Sequence, residues 1–410
     1  MKLHTELHSD LHTSFRTGSR RKFFPVLISA ALLAVSLASC GGAAAAGTAT
    51  TAAQTAEETA AAGTAGTDAA GEKAAAGEKP AETAAAEGQT AESTAAGENS
   101  GAESESGNGQ GLHLLAEMSN GGTGPDKSAD AELQEMISET AASFSQDTYG
   151  DQETGLSVPY NIYVPEGYEK DGTLPIVFFI GDATTAGKSM EYSLTQGWGG
   201  IVWATDAVQK ETPCIVVTPV FPEVILDDHN GYQTTDYVDL VPRLVRAVTQ
   251  KYGANPDRIY GTGQSMGAMT TLLTAAKNPD LYVAVLIVDG QWDISELKGI
   301  ENVKFLYITS AGDTSATGGQ TEVKEMLKKD GVAYSEVSDL DARLADSADT
   351  KQELEDAVSA ILSEGNAANF VTWKEGSVLS MYGDAKVSEH MAAFDYGYKL
   401  NAVRSWLLSQ

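Results

Sequence analysis

Cysteine is nearly missing from this chain. Only Cys40 and Cys214 occur in 410 residues, so a disulfide framework is excluded. Histidine is scarce as well: of six, only His229 and His390 lie beyond residue 120. Two separated histidines and one cysteine do not make a metal-ligand cluster, and no metal is expected. Basic clusters are missing from the bulk of the chain. Residues 111–410 carry 20 Lys and Arg against 44 Asp and Glu, a share of −24 in the total of −30. That balance argues against a nucleic-acid partner and otherwise bears on solubility rather than fold. Residues 41–110 lack Val, Ile, Leu, Met, Phe, Trp and Tyr altogether, and hold 25 Ala, 12 Gly, 10 Thr and 10 Glu. Such a segment cannot bury enough apolar surface to offset its ordering entropy, so disorder is expected there. No Walker or dinucleotide-binding glycine loop occurs, and no cofactor is expected.

What is present begins with an address. Arg16, Arg20, Arg21 and Lys22 form a cationic block, and an apolar run from Phe23 to Ala38 follows it. The run is short for a spanning helix and fits a signal-peptide core. It ends in Leu37-Ala38-Ser39-Cys40-Gly41, which resembles the bacterial lipobox. The resemblance implies a signal peptide over 1–39, a lipid on Cys40, and a place at the extracytoplasmic face of the cell membrane. The bland alternative is an ordinary cleavage site with a coincidental cysteine. Residues 40–130 then read as a tether, whose r.m.s. span as a flexible coil would be roughly 50 Å. With Cys40 acylated, Cys214 would be alone, and its place in an apolar run reads as a core thiol.

Residues 131–410 are left as one core-forming unit of about 280 residues. Its pattern alternates strands and helices. A short helix is expected over 133–145. Strands are expected at 156–164, 174–180, 215–218, 258–261, 282–288, 303–309 and 368–373. Helices are expected at 237–252, 266–277 and 319–329, with a closing helix from about Met391 to Leu408. Continuous apolar runs such as Pro175-Ile-Val-Phe-Phe-Ile180 suit buried parallel strands. The alternation predicts an α/β fold, a mostly parallel sheet covered on both faces. Residues 335–367 fit it poorly and read as an acidic insertion beside the sheet, with a helix near 350–363.

The chemistry concentrates at Gly263-Gln-Ser265-Met-Gly267, a G-x-S-x-G motif between a predicted strand and a predicted helix. That context is what a nucleophile elbow requires. Ser265 is the candidate nucleophile, and the Met266 amide at the helix N-terminus is a candidate oxyanion donor. A serine nucleophile needs a base, and nucleophile, acid and base follow in that chain order in this type of fold. His390, just before the closing helix, is the candidate base. His229 sits in the turn-like Asp227-Asp-His-Asn-Gly231 and reads as a loop residue. Asp313, after the 303–309 strand, is the candidate acid, with Asp289 and Asp293 as runners-up. Gln264, Trp198 and Trp292 are candidates for the substrate pocket, and Trp203, also at a predicted loop edge, is a further one. Core packing is the competing reading for each tryptophan.

Three segments carry a family resemblance. Tyr160-Asn-Ile-Tyr-Val-Pro-Glu-Gly-Tyr168, Asn255-Pro-Asp-Arg-Ile-Tyr-Gly-Thr-Gly-Gln-Ser-Met-Gly267 and His390-Met-Ala-Ala-Phe-Asp-Tyr-Gly-Tyr398 resemble the α/β-hydrolases described as predicted peptidases. These are relatives of polyhydroxybutyrate-depolymerase-like enzymes and of feruloyl and acetylxylan esterases. The resemblance covers roughly 155–410 and implies a serine hydrolase with a small-molecule or polymer-derived ester substrate, or a peptide one. One departure stands out. That family usually has His-Gly after the strand ending near Phe179; here the sequence is Ile180-Gly181-Asp182-Ala183. A backbone donor needs no particular side chain, so Gly181 or Asp182 remains a candidate second oxyanion donor. The readings carried forward are an esterase acting through an acyl-enzyme, a peptidase of the same fold, and a non-catalytic surface-binding lipoprotein on a degenerate hydrolase fold.

Overall fold

Nine strands hydrogen-bond into one sheet in the order β1-β2-β4-β3-β7-β8-β9-β11-β10. The strands are β1 (Ser145–Gly150), β2 (Ser157–Tyr163), β3 (Ile176–Ile180), β4 (Ile215–Pro219), β7 (Ile259–Gln264), β8 (Ala284–Val288), β9 (Lys304–Ser310), β10 (Tyr334–Leu340) and β11 (Ala368–Trp373). Two further short strands, β5 (Leu226–Asp227) and β6 (Gln233–Thr234), pair with each other. The structure is a computed structural model, and it describes residues 124–410 except Asn230 and Asp384. The expected signal segment 1–39, Cys40 and the tether up to residue 123 lie outside the described residues.

From β4 to β10 the pairing is parallel, while β1–β2 and β2–β4 are antiparallel. The longer helices are α1 (Ala131–Thr140), α2 (Asp236–Tyr252), α3 (Met266–Lys277), α4 (Thr314–Asp330), α5 (Ala348–Leu362) and α6 (Asn401–Leu408). Alternation along each central strand feeds two cores. Phe178, Val285, Ile287 and Phe305 face the core under α2 and α3. Phe179, Leu286, Val288 and Leu306 face the other, with Trp198, Trp203, Tyr398 and Leu407. This is why β3 and β8 read as unbroken apolar runs. α2 shows the local logic of a covering helix. Asp236 and Asp239 occupy its first turn, Lys251 its last, and Gly253 ends it at φ 62°. The apolar residues spaced along it are buried against the sheet.

The structure corrects four readings. Residues 335–367 are no insertion: β10 joins the sheet parallel to β11, and α5 is the crossover between them. As an edge strand β10 shows only one side to the core, so its polar Glu336 and Asp339 meet solvent. α5 buries only Leu354, Val358 and Ile361, which is why its composition reads as acidic and solvated. β1 was missed because Ser-Gln-Asp-Thr-Tyr-Gly is a polar edge strand with no apolar signal. The closing helix is broken into a turn at Glu389–Ala393 and α6. Between them Asp395 turns inward to accept the Trp198 N–H at 2.9 Å, and Gly397 passes where a Cβ would stand 2.6 Å from Val288. Finally, residues 124–130 belong to the folded unit rather than to a tether. Asp130 caps α1 by accepting the Leu133 N–H at 3.0 Å, and the Lys127 side chain is only 8% exposed.

Candidate active site

Ser265 stands between β7 and α3 at φ 50°, ψ −117°, a backbone conformation that costs a non-glycine residue energy. Its surroundings hold it there. The Ser265 N–H donates to Val288 O at 3.1 Å, tying the turn to β8. A Cβ on Gly267 would lie 1.8 Å from Ile180 O, and one on Gly263 would lie 2.4 Å from the Gly267 carbonyl. The two glycines of the motif are therefore what lets β3, β7 and α3 come together at one point. The serine hydroxyl projects at the C-terminal end of the parallel strands.

Ser265 Oγ is 2.8 Å from His390 Nε2, and His390 Nδ1 is 2.6 Å from Asp313 Oδ2. The network assigns the ring proton to Nδ1, donated to Asp313, and leaves Nε2 to accept from the serine. The structure thus brings these three candidate residues together from three distant segments. Asp313 is 7% exposed and caps α4, its Oδ1 accepting the Ala316 N–H at 3.1 Å. Its carboxylate is fixed from both ends. The His390 ring meets Phe394 edge to face at 4.9 Å. Burial works against a charged His390 ring, but the hydrogen bond and charge of Asp313 outweigh it, and the imidazole titrates above its ordinary value.

Glu389 was not singled out by the sequence. Its carboxylate accepts from Ser310 Oγ at 2.6 Å, from the Gly312 N–H at 3.1 Å and from the Gly376 N–H at 2.7 Å. It therefore ties the loop carrying Asp313 to the turn carrying His390. Only its place next to His390 could have drawn attention to it.

The runners-up go elsewhere. Asp289 is fully buried at φ 46°; Oδ1 accepts the Ser310 N–H at 2.8 Å, and Oδ2 has no hydrogen-bond partner among the described residues. Burial, reinforced by the Asp313 charge, pushes this carboxyl far above the usual range. Asp293 caps a short turn by accepting the Ser295 N–H at 2.9 Å. His229 does line the cleft, with Nδ1 2.9 Å from Asp228 Oδ1 and 3.3 Å from Asp227 Oδ1. Asp227, Asp228 and His229 bring their ligand-type atoms within 4.8 Å of one another, but these atoms are engaged with each other and with Gln291.

The cleft over Ser265 has a volume of about 280 Å³, with Met266, Met269, Leu226 and Ala183 on its apolar side and His229, Gln291 and Ser315 on its polar side. A second hollow of about 420 Å³ opens from it past His229 toward Tyr232 and Glu322. A larger cavity of about 510 Å³ lies at the opposite end of β7, near Ile259, remote from the serine. None of Gln264, Trp198 and Trp292 lines the cleft, which corrects those pocket assignments. Gln264 is 1% exposed and donates through Nε2 to Asp182 Oδ2 at 2.8 Å. Trp198 is core, with Nε1 donating to Asp130 at 3.0 Å, and Trp203 is fully buried near it. Trp292 lies beneath Tyr232, ring to ring at 5.1 Å. On the loop after β3, Gly181 faces inward, where a Cβ would stand 2.6 Å from Thr185. Asp182 turns its side chain onto Thr184 and Gln264, and Ala183 reaches the cleft wall.

No curated protein matches the chain. Among solved structures, a thermostable esterase is 20% identical with a TM-score of 0.52 over 66% of this chain. The match spans 64% of that esterase, and it shows the fold. A feruloyl esterase module from Clostridium thermocellum complexed with sinapinate is 15% identical, TM-score 0.40, over 62% of this chain and 87% of that one. A ferulic acid esterase from Anaeromyces mucronatus is 14% identical, TM-score 0.40, over 64% and 91%. The family model named Esterase, described as "Putative esterase", matches residues 152–375, more than half of the chain, and the chain therefore belongs to the Esterase family, on an α/β-hydrolase fold.

Proposed function

We propose that this protein is a serine hydrolase of carboxylic esters, working through an acyl-enzyme and carried at the extracytoplasmic face of a membrane by a lipid on Cys40. The observation that carries the reaction is the hydrogen-bonded line Asp313–His390–Ser265 on an intact elbow. Ser265 Oγ attacks the ester carbonyl carbon while His390 Nε2 takes its proton. Asp313 stays ionised, keeps the ring in the Nδ1–H form and stabilises the imidazolium. The negative oxygen of the tetrahedral intermediate is stabilised by the Met266 N–H at the start of α3 and by an N–H of the 181–183 loop. His390 then returns the proton to the departing alcohol oxygen. Water repeats the sequence on the acyl-enzyme and frees the acid.

The missing His-Gly removes no backbone donor, and Gln264 braces the altered loop through Asp182. Ester cleavage is favoured over amide cleavage because an alcohol is the better leaving group. Esterase membership supports the same choice. The decisive experiment is labelling with a fluorophosphonate beside hydrolysis of p-nitrophenyl acetate. The parent protein should label and turn over, and Ser265→Ala should do neither. An unlabelled parent, or an active Ser265→Ala variant, would refute the reading.

A further inference from the structure

Residues 124–130 reach both loops that flank Ser265. On one side Lys127 Nζ is 2.8 Å from Asp395 Oδ2, with the two side chains only 8% and 3% exposed. Asp395 directly follows Phe394, the ring against which His390 rests. Gly197 makes room for the pair: a Cβ there would stand 2.4 Å from Asp395 Oδ1 and 2.6 Å from Lys127 Nζ. Among the described residues, Lys127 is the one basic side chain in ion-pair contact with Asp395. On the other side the Gly124 N–H donates to Tyr192 Oη at 3.4 Å, and Tyr192 Oη is 3.4 Å from Thr184 Oγ1. Thr184 in turn donates to Asp182, the acceptor of Gln264 next to the nucleophile.

A buried ion pair adds little net stability, because desolvating both charges cancels much of their attraction. Its effect is on geometry. With Lys127 absent, the turn bearing Phe394 and His390 loses its tie to residues 124–130, which displaces the base, and Asp395 is in addition left a buried carboxylate without a countercharge, which costs stability.

We propose that Lys127 is a positioning residue for the reaction: through Asp395 it holds the 389–395 turn so that His390 Nε2 stays in register with Ser265 Oγ. The inference rests on His390 as the base, which the Ser265→Ala and labelling experiment tests separately. Here the full chain is compared with Lys127→Met, Lys127→Arg and the double variant Lys127→Met/Asp395→Asn. Displacement of the base by about an ångström should lower kcat of Lys127→Met by about a hundredfold, with KM within about twofold. Lys127→Arg should recover most of kcat. The double variant has no orphan charge and keeps an acceptor for the Trp198 N–H. It should regain the melting temperature that Lys127→Met loses, yet remain slow. A folded Lys127→Met with parental kcat would overturn the proposal. So would a double variant whose kcat returns together with its melting temperature, since Lys127 would then serve stability alone.

Discussion

His390 and Asp289 both feel the charge of Asp313, and their environments push both upward for different reasons. In His390 the paired carboxylate favours the cation against burial. The base must be neutral to act, so kcat/KM should fall as pH drops through a midpoint above 6.5. Asp313→Asn removes the charge that raises it. In that variant the acidic limb should move to lower pH while kcat falls on the order of 10⁴-fold, as read from a pH–rate profile. Asp289 is raised by burial, so its carboxyl holds its proton when folded and releases it near pH 4 when unfolded. Above that pH the unfolded chain binds fewer protons, and stability declines with rising pH. Asp289→Asn is close in shape and does not titrate. We expect it to leave kcat within about threefold and to gain stability over the parent from pH 5 to 8, by on the order of 1.4 kcal/mol per unit at most. Melting temperatures at the two pH values check this.

At the scale of elements, what was legible depended on what each segment faces. Segments buried on both sides carried strong signals: β3, β8, β9 and α3 fall within two residues of their expected limits. β1 and β10 were not, because an edge strand needs few apolar residues. The elbow was legible because its glycines answer a local steric demand. Glu389, Lys127 and the Gln264–Asp182 link were not, since each acts across more than 75 residues of chain, a relation that one sequence does not display. The elbow also yields a sharp expectation. Gly267→Ala would place a methyl against the Ile180 carbonyl, so β3 and α3 must part. A loss of about 1–3 kcal/mol or more in denaturant unfolding should result, along with loss of activity. An Ala tolerated with parental stability would mean the approach is looser than described.

The whole molecule divides chemically where its composition does. Residues from 124 onward supply the sheet, the cleft and the candidate catalytic residues, and no helix among the described residues is long and apolar enough to cross a membrane. The proposed anchor is the lipid on Cys40. Cys40→Ser should release the protein from the membrane fraction and abolish incorporation of a labelled fatty acid, while hydrolysis of a soluble ester is unchanged. Retention of the variant in membranes would count against the lipid. The acidic balance of the domain makes a neutral or cationic substrate easier to accept than a polyanionic one.

Cys214 is fully buried just before β4, its sulfur 3.2 Å from Gln209 Nε2 and 3.7 Å from Trp203 O, and burial pushes its thiol up to about 12. Such a sulfur is almost wholly unionised and closed to reagents while the sheet is intact. An oxidising surroundings would find nothing on the folded domain to attack there. If Cys40 carries a lipid, alkylation of the chain becomes a clock with a single hand: each molecule that takes up the reagent has first opened β4, and the rate reports how often that happens.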